Sequence, residues 1–409
     1  MNCRFCSEKL SVVFINLENA PLSNSYLSEE QLNAPEIFYP LKVFVCHRCF
    51  LVQVDEFEKP SEIFSDDYAY FSSFSKSWLE HAQNYVEMIN NRLGLGPQSK
   101  VMEIASNDGY LLHQFVKKNI PCFGVEPAKC TAEAARGKGV ESIDEFFSAD
   151  LARRLTEERG KQDLIICNNV LAHVPNVNDF VKGLKIILAQ SGTVTLEFPH
   201  VAKLINHNQF DTIYHEHFSY FSFTTVETIF SIHGLVLFDV EELPTHGGSL
   251  RIYAQHARSE PAPISDKVKA LKRCEREFGL VDIQKYSTFQ EKAETTRDAF
   301  WLFLLDCEAK GKKVAAYGAA AKGNTFLNYC GIKGTQHLGF VVDASPHKQG
   351  KFLPGSHIPI VPESRIRKEK PDFVIILPWN LREEISTQLS YIRTWGGSFV
   401  AAIPTIEVF

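Results

Sequence analysis

The sequence predicts an α/β protein built from two parallel-sheet units and a small cysteine-rich domain at the N-terminus. Three observations lead to this prediction. Apolar runs alternate with helical stretches from about residue 100 to 255, a rhythm typical of βαβ units. A second strand–turn–helix series starts at Lys312 with KKVAAYGAAAKG and continues to the C-terminus. Two C-x-x-C pairs lie in the N-terminal region, among short β-like runs such as KVFVCHRCFLVQV.

Composition and charge narrow the class of protein. The 409 residues are 44% hydrophobic and 22% charged, as in ordinary globular proteins, and the length favours two or three domains. The net charge of −6 is spread without a basic block, which disfavours nucleic acid as a partner. The opening MNCRFCSEKL lacks the apolar segment of a signal peptide, and no apolar run is long enough to span a bilayer. We therefore predict a cytoplasmic protein without a membrane partner.

The cysteine pairs predict a metal site. Cys3 and Cys6 form one pair, and Cys46 and Cys49 form the other. Four thiolates close a tetrahedral Zn²⁺ and leave no open position, which is the structural pattern rather than the catalytic one. Four free thiols or a redox dithiol are the alternatives, although a redox dithiol needs only one pair. The prediction is a structural zinc that stabilises a domain too small to build its own core.

The first strand of the central region leads into a candidate cofactor loop. VMEIASNDGYLLHQF reads as a strand, a tight turn and a helix, with Glu103 as the acid at the strand end and Ala105, Asn107 and Gly109 in the turn. Small residues let the backbone approach a ligand, and a helix N-terminus offers N–H groups to a carboxylate. The position resembles the loop at which class I methyltransferases bind S-adenosylmethionine. An ordinary turn between a strand and a helix is the alternative.

Two downstream motifs strengthen the cofactor prediction. CFGVEPA ends a second strand at Glu126, where an acid can accept hydrogen bonds from ribose hydroxyls. IICNNVLAHVPN places Asn168 and Asn169 at the end of a later strand. Phe146 lies where adenine is commonly sandwiched, although a Phe146–Phe147 pair before a helix is more often core. The G-x-G-x-x-G fingerprint of nicotinamide dehydrogenases is missing, so S-adenosylmethionine is the favoured cofactor.

The motifs carry a family resemblance when they are taken in order. The C-x-x-C pairs flank NAPLSNSYL, and EIASNDGYLL, NNVLAHVPN, YHEHFSYFS, THGGSLRIY and YGAAAKGNTFLN follow. This order resembles the S-adenosylmethionine-dependent sugar C-methyltransferases that act on nucleotide-linked (TDP-type) 4-keto-deoxysugars, over essentially the whole chain. The resemblance implies a zinc-binding domain (1–64), a class I methyltransferase domain with a Rossmann-like sheet (65–258), and a C-terminal Rossmann-like sugar-nucleotide-binding domain with a helical lead-in (259–409).

The resemblance also implies a set of active-site residues. The catalytic histidine of the family falls in a Y-x-E-H pattern, which here is Tyr214, Glu216 and His217. The supporting histidine after the fourth strand matches His173. An N-terminal-side tyrosine matches Tyr68 in DDYAYFS, with Tyr70 as the alternative.

The chemistry of carbon methylation explains why such residues are needed. Methylation next to a ketone requires a base for the C–H proton and a donor for the developing enolate oxygen. We predict His217 as the base, Glu216 as its support or a sugar ligand, and Tyr214 and His173 as enolate stabilisers. A buried aromatic segment without catalytic function is the alternative, although polar groups are costly to bury without partners. His215 is the alternative base, because an extended strand would put it on the same face as His217.

The C-terminal unit contains candidate substrate-binding residues. Residues 318–323 could form a backbone nest for a diphosphate, with charge from Lys322 and a helix cap at Asn324 or Thr325. An ordinary tight loop between a strand and a helix is the alternative. Asp343, at the end of GFVVDAS, could contact a sugar or base, or cap a helix instead. Arg251 could reach a phosphate, although an ion pair is the commoner fate of an arginine.

Three other functions compete with sugar C-methylation. They are an O- or N-methyltransferase with the same donor, an NAD(P)-dependent sugar-nucleotide oxidoreductase, and a noncatalytic zinc-ribbon module. The pattern favours a nucleotide-linked keto-deoxysugar as substrate and a monomer as the oligomeric state. It leaves the particular sugar, the methylated carbon and the stereochemistry open.

Overall fold

A computed structural model describes residues 1–58, 71–257 and 262–409, and the strands of these residues form three sheets. The strands are β1 (Val12–Ala20), β2 (Tyr39–Val45), β3 (Val52–Val54), β4 (Val101–Ile104), β5 (Cys122–Val125), β6 (Glu141–Ile143), β7 (Gln162–Asn168), β8 (Leu188–Pro199), β9 (Ser219–Tyr220), β10 (Leu235–Leu243), β11 (Ser249–His256), β12 (Val314–Tyr317), β13 (Val341–Val342), β14 (Ile360–Val361), β15 (Phe373–Ile376), β16 (Ser398–Ala401) and β17 (Glu407–Val408). The α-helices are α1 (Lys76–Leu93), α2 (Leu112–Lys117), α3 (Lys129–Gly137), α4 (Ala149–Arg159), α5 (Val177–Ile187), α6 (Val201–Asn206), α7 (Phe223–Ile232), α8 (Asp266–Phe278), α9 (Gln284–Ser287), α10 (Phe289–Ala309), α11 (Ala321–Tyr329), α12 (Ser364–Glu369) and α13 (Arg382–Gln388).

The central sheet has the strand order β10-β11-β8-β7-β4-β5-β6. Strands β4 to β8 pair in parallel, and β11 runs antiparallel to both of its neighbours. All four residues of β4 are buried, as expected of a parallel strand covered on both faces. The strand order reverses at β4, and ligands of open α/β sheets bind outside the carboxyl ends of the strands at such a point. The predicted α/β fold with a central parallel sheet is confirmed.

The N-terminal sheet is antiparallel and is completed by a distant segment of the chain. Its order is β1-β2-β3-β9, and β9 belongs to the YHEHFSYFS segment. Gln53 pairs with Ser219 and Val52 with Tyr220, so the edge of the cysteine-rich domain is formed by residues next to the predicted base. This pairing connects the zinc-binding region to the candidate active site.

The C-terminal sheet has the order β14-β13-β12-β15-β16-β17, with every pair parallel except β16–β17. Helices α8 to α10 precede it, where the sequence predicts a charged, helical lead-in without strands. The chain therefore contains a second parallel unit, as expected from its strand–turn–helix series.

The hydrophobic core joins the N-terminal and C-terminal regions. One cluster of buried side chains includes Phe14 of β1, Phe289 of α10 and Val341 of β13. The rings of Phe14 and Phe289 stack with centroids 4.7 Å apart. Because the core is continuous across these regions, the domain boundaries remain a prediction. Among the helices of the described residues, none is both long and apolar enough to cross a membrane.

Candidate active site

The four predicted zinc ligands converge on one point. The Sγ atoms of Cys6 and Cys46 are 3.5 Å apart, and Cys49 Sγ lies 3.6 Å from both Cys3 and Cys6. A tetrahedron with Zn–S bonds of about 2.3 Å has sulfur–sulfur edges of about 3.8 Å. The four sulfurs therefore fit a Zn²⁺ ion as a closed, structural site. Gln53 donates a hydrogen bond to Cys3 Sγ at 3.3 Å and helps to orient this ligand.

The predicted cofactor loop has an unusual backbone. Ala105, Asn107 and Gly109 have φ values of 57°, 48° and 73°, all in the left-handed region. This region is unfavourable for alanine, and strained residues of this kind cluster at functional sites. A side chain at Gly109 would also have to fit within 3.1 Å of the Ala135 Cβ atom. The loop thus departs from an ordinary turn between a strand and a helix.

Two buried acids lie at the strand ends beside this loop. Glu126 accepts hydrogen bonds from the backbone N–H groups of Asn107 at 2.9 Å and Ala128 at 3.1 Å. Within the described residues, Glu103 Oε2 is buried without a hydrogen-bond partner. Burial raises the pKa of Glu103 well above its usual range, and the nearby Glu126 and Asp108 carboxylates raise it further.

Further unpaired polar atoms lie at the end of β7. Both amide atoms of Asn168, and Oδ1 of Asn169, are buried without a partner in the described chain. S-adenosylmethionine carries an ammonium group, a carboxylate and ribose hydroxyls, which such carboxylate and amide groups can pair with. The residues therefore fit this cofactor. Phe146 is 45% exposed, whereas Phe147 packs edge-on against Phe180 with centroids 5.4 Å apart.

Capped helices fix the two segments that carry the predicted catalytic histidines. His173 ends a short 3₁₀ turn, and Asn176 then caps α5 by accepting a hydrogen bond from the Asp179 N–H group. The YHEH segment turns back at a backbone hydrogen bond from His217 N to Tyr214 O. Serine at position 222 then caps α7. Irregular backbone thus presents each histidine from a fixed anchor.

The hydrogen bonds of His217 determine its tautomer. Its Nδ1 lies 2.9 Å from the Thr212 carbonyl oxygen, which can only accept, so Nδ1 carries the proton. Its Nε2 lies 2.8 Å from the Tyr214 hydroxyl. In the neutral ring Nε2 is therefore an acceptor, and Tyr214 donates to it. This nitrogen is the atom that could take up a proton.

The turn brings His173 rather than His215 to His217. The rings of His173 and His217 are 4.7 Å apart, and His173 Nδ1 donates to the Glu216 carbonyl oxygen at 2.8 Å. His215 faces the N-terminal sheet instead, with Nε2 3.3 Å from the Pro40 carbonyl oxygen. The extended arrangement that would put both histidines of the segment on one face is absent from this described turn.

Burial pushes the titratable groups of this cluster toward their neutral forms. It lowers the pKa of His217 well below the usual range, and the neighbouring His173 and Lys322 lower it further. Burial also lowers the pKa of His173 to about 4 and raises the pKa of Glu216 to about 7. A neutral His217 is the protonation state that a base requires.

Two residues of the NAPLSNSYL motif lie against the cluster, although the sequence assigns them no role. Asn24 Nδ2 donates to Glu216 Oε1 at 2.6 Å. The Tyr26 hydroxyl lies 2.7 Å from the Ala319 carbonyl oxygen and 3.2 Å from Asn24 Oδ1. Lys348 Nζ donates to the same carbonyl of Ala319 at 2.9 Å. The only sequence signal for these two residues is that NAPLSNSYL is one of the motifs that carry the family resemblance.

The predicted diphosphate loop, residues 318–323, contains Ala319, which Tyr26 and Lys348 contact. Asp343 accepts a hydrogen bond from the Ala319 N–H group at 2.9 Å, so it holds the loop between β12 and α11. Lys322 Nζ donates to Asn380 Oδ1 at 2.6 Å and lies 4.8 Å from the centre of the Trp379 ring. The indole of Trp379 donates to Asp211 at 2.7 Å.

Two other predicted residues, Arg251 and Asn324, have surroundings of their own, and two lie outside the described chain. The Arg251 guanidinium contacts Glu197 at 2.6 Å and Glu241 at 2.8 Å, so it is engaged in two ion pairs, of which the one with Glu197 is fully buried. The predicted cap at Asn324 is wrong, because the helix α11 begins at Ala321 with Ala320 at its N-cap, so Asn324 lies inside the helix. Asn324 is buried, and its Nδ2 has no hydrogen-bond partner in the described residues. Tyr68 and Tyr70 lie outside the described residues.

Comparisons with known proteins match the three regions in order. A zinc binding domain matches residues 3–64, a methyltransferase domain matches 78–240, and a C-methyltransferase C-terminal domain matches 244–404. The C-methyltransferase NovU of Streptomyces niveus is 33% identical over 406 residues, which are 99% of this chain and 96% of that protein. The chain belongs to the C-methyltransferase family. This C-methyltransferase is an enzyme that uses S-adenosylmethionine and has a zinc-binding domain.

Two more distant matches each cover less than half of this chain. The ubiquinone biosynthesis O-methyltransferase of Bordetella avium is 24% identical over 136 residues, 30% of this chain and 56% of that protein. The crystal structure of PH0226 from Pyrococcus horikoshii aligns with 46% of this chain and 95% of its own, at 16% identity and a TM-score of 0.38.

Proposed function

We propose that this C-methyltransferase methylates the carbon alpha to the ketone of a nucleotide-linked, TDP-type 4-keto-deoxysugar through an enolate, with His217 as the base. One observation carries the proposal. The Nδ1–H group of His217 donates to the Thr212 carbonyl oxygen, so the Nε2 atom, 2.8 Å from the Tyr214 hydroxyl, is the one that can accept a proton. Methyl transfer to an amine or hydroxyl would not require stabilisation of an enolate.

Each residue of the cluster has its own role in forming the enolate. His217 Nε2 takes the proton from the carbon, and the electron pair of the C–H bond moves into the ketone to form the enolate. S-adenosylmethionine supplies an electrophilic methyl group when bound. Tyr214, whose hydroxyl is released once Nε2 is protonated, donates to the enolate oxygen, and Glu216, oriented by Asn24, supports the imidazolium or holds the sugar. His173 positions the turn, because its Nδ1–H donates to the Glu216 carbonyl and the Nε2 of the neutral ring can only accept.

The sugar nucleotide belongs at the loop between β12 and α11. The backbone of residues 318–323 and the Lys322 ammonium group offer donors and positive charge to a diphosphate. Tyr26 and Asp343 hold Ala319 of this loop, and Lys322 also influences the pKa of His217. Diphosphate charge near Lys322 would offset this cation and make His217 a stronger base when substrate is present. Arg251 is left out of the proposed site, because its guanidinium is engaged with two glutamates.

The test is exchange of the proton on carbon. The purified protein is incubated in D₂O with S-adenosylhomocysteine and a TDP-4-keto-deoxysugar, and deuterium next to the ketone is followed by NMR. We expect deuterium incorporation with the wild type and its loss in His217→Gln. His215→Gln is the matched control, because His215 lies in the same turn but faces Pro40. This control is expected to retain exchange.

Two results would count against the proposal. Binding of S-adenosylmethionine without any exchange would place the acceptor atom elsewhere than on a carbon beside a ketone. Exchange that persists in His217→Gln but disappears in His215→Gln would move the role of base to His215.

A further inference from the structure

Arg4 lies between two zinc ligands and reaches the segments of both candidate catalytic histidines. Its Nη1 donates to the Pro175 carbonyl oxygen at 3.2 Å, and its Nη2 donates to the Val54 carbonyl oxygen. The guanidinium carbon lies 5.3 Å from the centre of the Phe218 ring. Pro175 is two residues beyond His173, and Phe218 directly follows His217.

The backbone around Arg4 is held equally firmly. The Arg4 N–H group donates to Gln53 Oε1 at 2.9 Å, and the amide of Gln53 donates to Cys3 Sγ. Gln53 itself pairs with Ser219 across β3 and β9, and Val54 N donates to Phe218 O at 3.0 Å. The first zinc knuckle (residues 3–6, which contain Cys3 and Cys6) and the YHEH segment are thus parts of one hydrogen-bonded unit.

We propose that Arg4 is a positioning residue for the reaction, and that through it the zinc knuckle sets the distance between the His173 and His217 segments. A planar guanidinium can donate to two carbonyl groups in different directions while one face rests on an aromatic ring. A lysine ammonium has no such fork. The zinc site would then serve the active site as well as the stability of its own domain.

This inference rests on the proposed function only for the roles of the two histidines, so its main readout needs no sugar substrate. The Nδ1–H groups of His173 and His217 donate to carbonyl oxygens. The experiment uses the zinc-loaded protein with S-adenosylhomocysteine. Protons held in this way exchange slowly and can be followed by NMR with ¹⁵N-labelled histidine. Their resonances are assigned by the variants His173→Gln and His217→Gln.

The variants to compare are Arg4→Met, Arg4→Lys and the control Arg48→Met. Arg48 lies in the other zinc knuckle, but its side chain is 68% exposed and is 3.9 Å from Glu8 at its nearest contact with an acid. We expect both Arg4 variants to retain zinc while the two Nδ1–H resonances broaden or exchange faster. Arg48→Met should leave them unchanged. With a methyl acceptor, kcat should fall about 10- to 100-fold in Arg4→Met while KM for S-adenosylmethionine stays the same.

Zinc content, measured in parallel, separates the possible results. If the Arg4 variants keep zinc and keep both resonances as in the wild type, the proposal is wrong. If every Arg4 variant loses zinc, Arg4 belongs to the metal knuckle alone, and the proposal is equally overturned. A wild type that exchanges no substrate proton would refute the proposed function, yet the NMR comparison would still decide the role of Arg4.

Discussion

Replacing Glu216 by glutamine should stabilise the protein at alkaline pH. Glu216 is 3% exposed, and burial raises its pKa from 4.5 to about 7, against the opposing hydrogen bond from Asn24. The folded state therefore binds a proton on Glu216 more tightly than the unfolded chain does. The stability that this group contributes is complete below its unfolded pKa and is lost as the pH rises through about 7.

The size of the effect follows from the two pKa values. One pKa unit corresponds to about 1.4 kcal/mol. A rise in pKa from 4.5 to about 7 therefore lowers the free energy of unfolding of the wild type by roughly 3 kcal/mol at pH 8. At pH 5 the same calculation gives roughly 1 kcal/mol. Glutamine is neutral at both pH values and can still accept the Asn24 hydrogen bond. The advantage of Glu216→Gln should therefore grow by about 2 kcal/mol between pH 5 and pH 8.

Denaturant unfolding at pH 5, 6, 7 and 8 measures this difference. Glu275→Gln is the matched control, because Glu275 is also buried but accepts hydrogen bonds from Phe223 N at 2.6 Å and Thr224 N at 2.9 Å. Burial alone would raise the pKa of Glu275, but His200 and Thr224 lower it below the usual value. Its stabilising contribution is present above the unfolded pKa, so Glu275→Gln should be destabilised throughout this range. A Glu216→Gln advantage that is equal at pH 5 and pH 8 would refute the reasoning.

Three further predictions concern the substrate loop, the metal and the turn between β10 and β11. Lys322→Met should raise the pKa of His217, because Lys322 is one of the groups that lower it; a ring titration by NMR that does not move would contradict this. Removal of Zn²⁺ with a chelator should lower the unfolding midpoint and broaden the His217 resonances; an unchanged midpoint would show that the metal is not structural. Gly247→Ala should lower the free energy of unfolding by about 1–3 kcal/mol, because Gly247 has a φ of 87° and the added Cβ would lie 2.3 Å from the Trp379 ring. Gly96→Ala, with no atom within 4 Å of the added Cβ, should unfold at nearly the wild-type denaturant concentration.

The sequence predicted the features that depend on local patterns. The buried strands β4 and β7 are short apolar runs between turns, and the zinc ligands come in two C-x-x-C pairs, so neither requires knowledge of the rest of the chain. The fold class and the zinc site could therefore be predicted. The choice between His215 and His217 could not, because it depends on the turn that begins at Tyr214.

Contacts between distant segments were beyond this kind of prediction. Asn24 and Glu216 are far apart in sequence, and an asparagine in a loop carries no pattern that marks it as a partner of a buried acid. The pairing of β3 with β9 also leaves no recognisable sequence pattern, since β9 is only two residues long. Arg251 shows the reverse problem, because the residue type suggests a phosphate contact while its acidic partners become evident only in the folded sheet.

The electrostatics of the cluster bear on when its base becomes active. Burial is the main cause of the altered pKa of both Glu216 and His217, and it favours the neutral form of each. The predicted base is therefore weak in the free protein. On the proposed function, the diphosphate of the substrate would bring negative charge to Lys322 and raise the pKa of His217. Proton removal would then begin only after the nucleotide is bound, and a sugar without its diphosphate should exchange its proton far more slowly than the sugar nucleotide, even at saturating concentration.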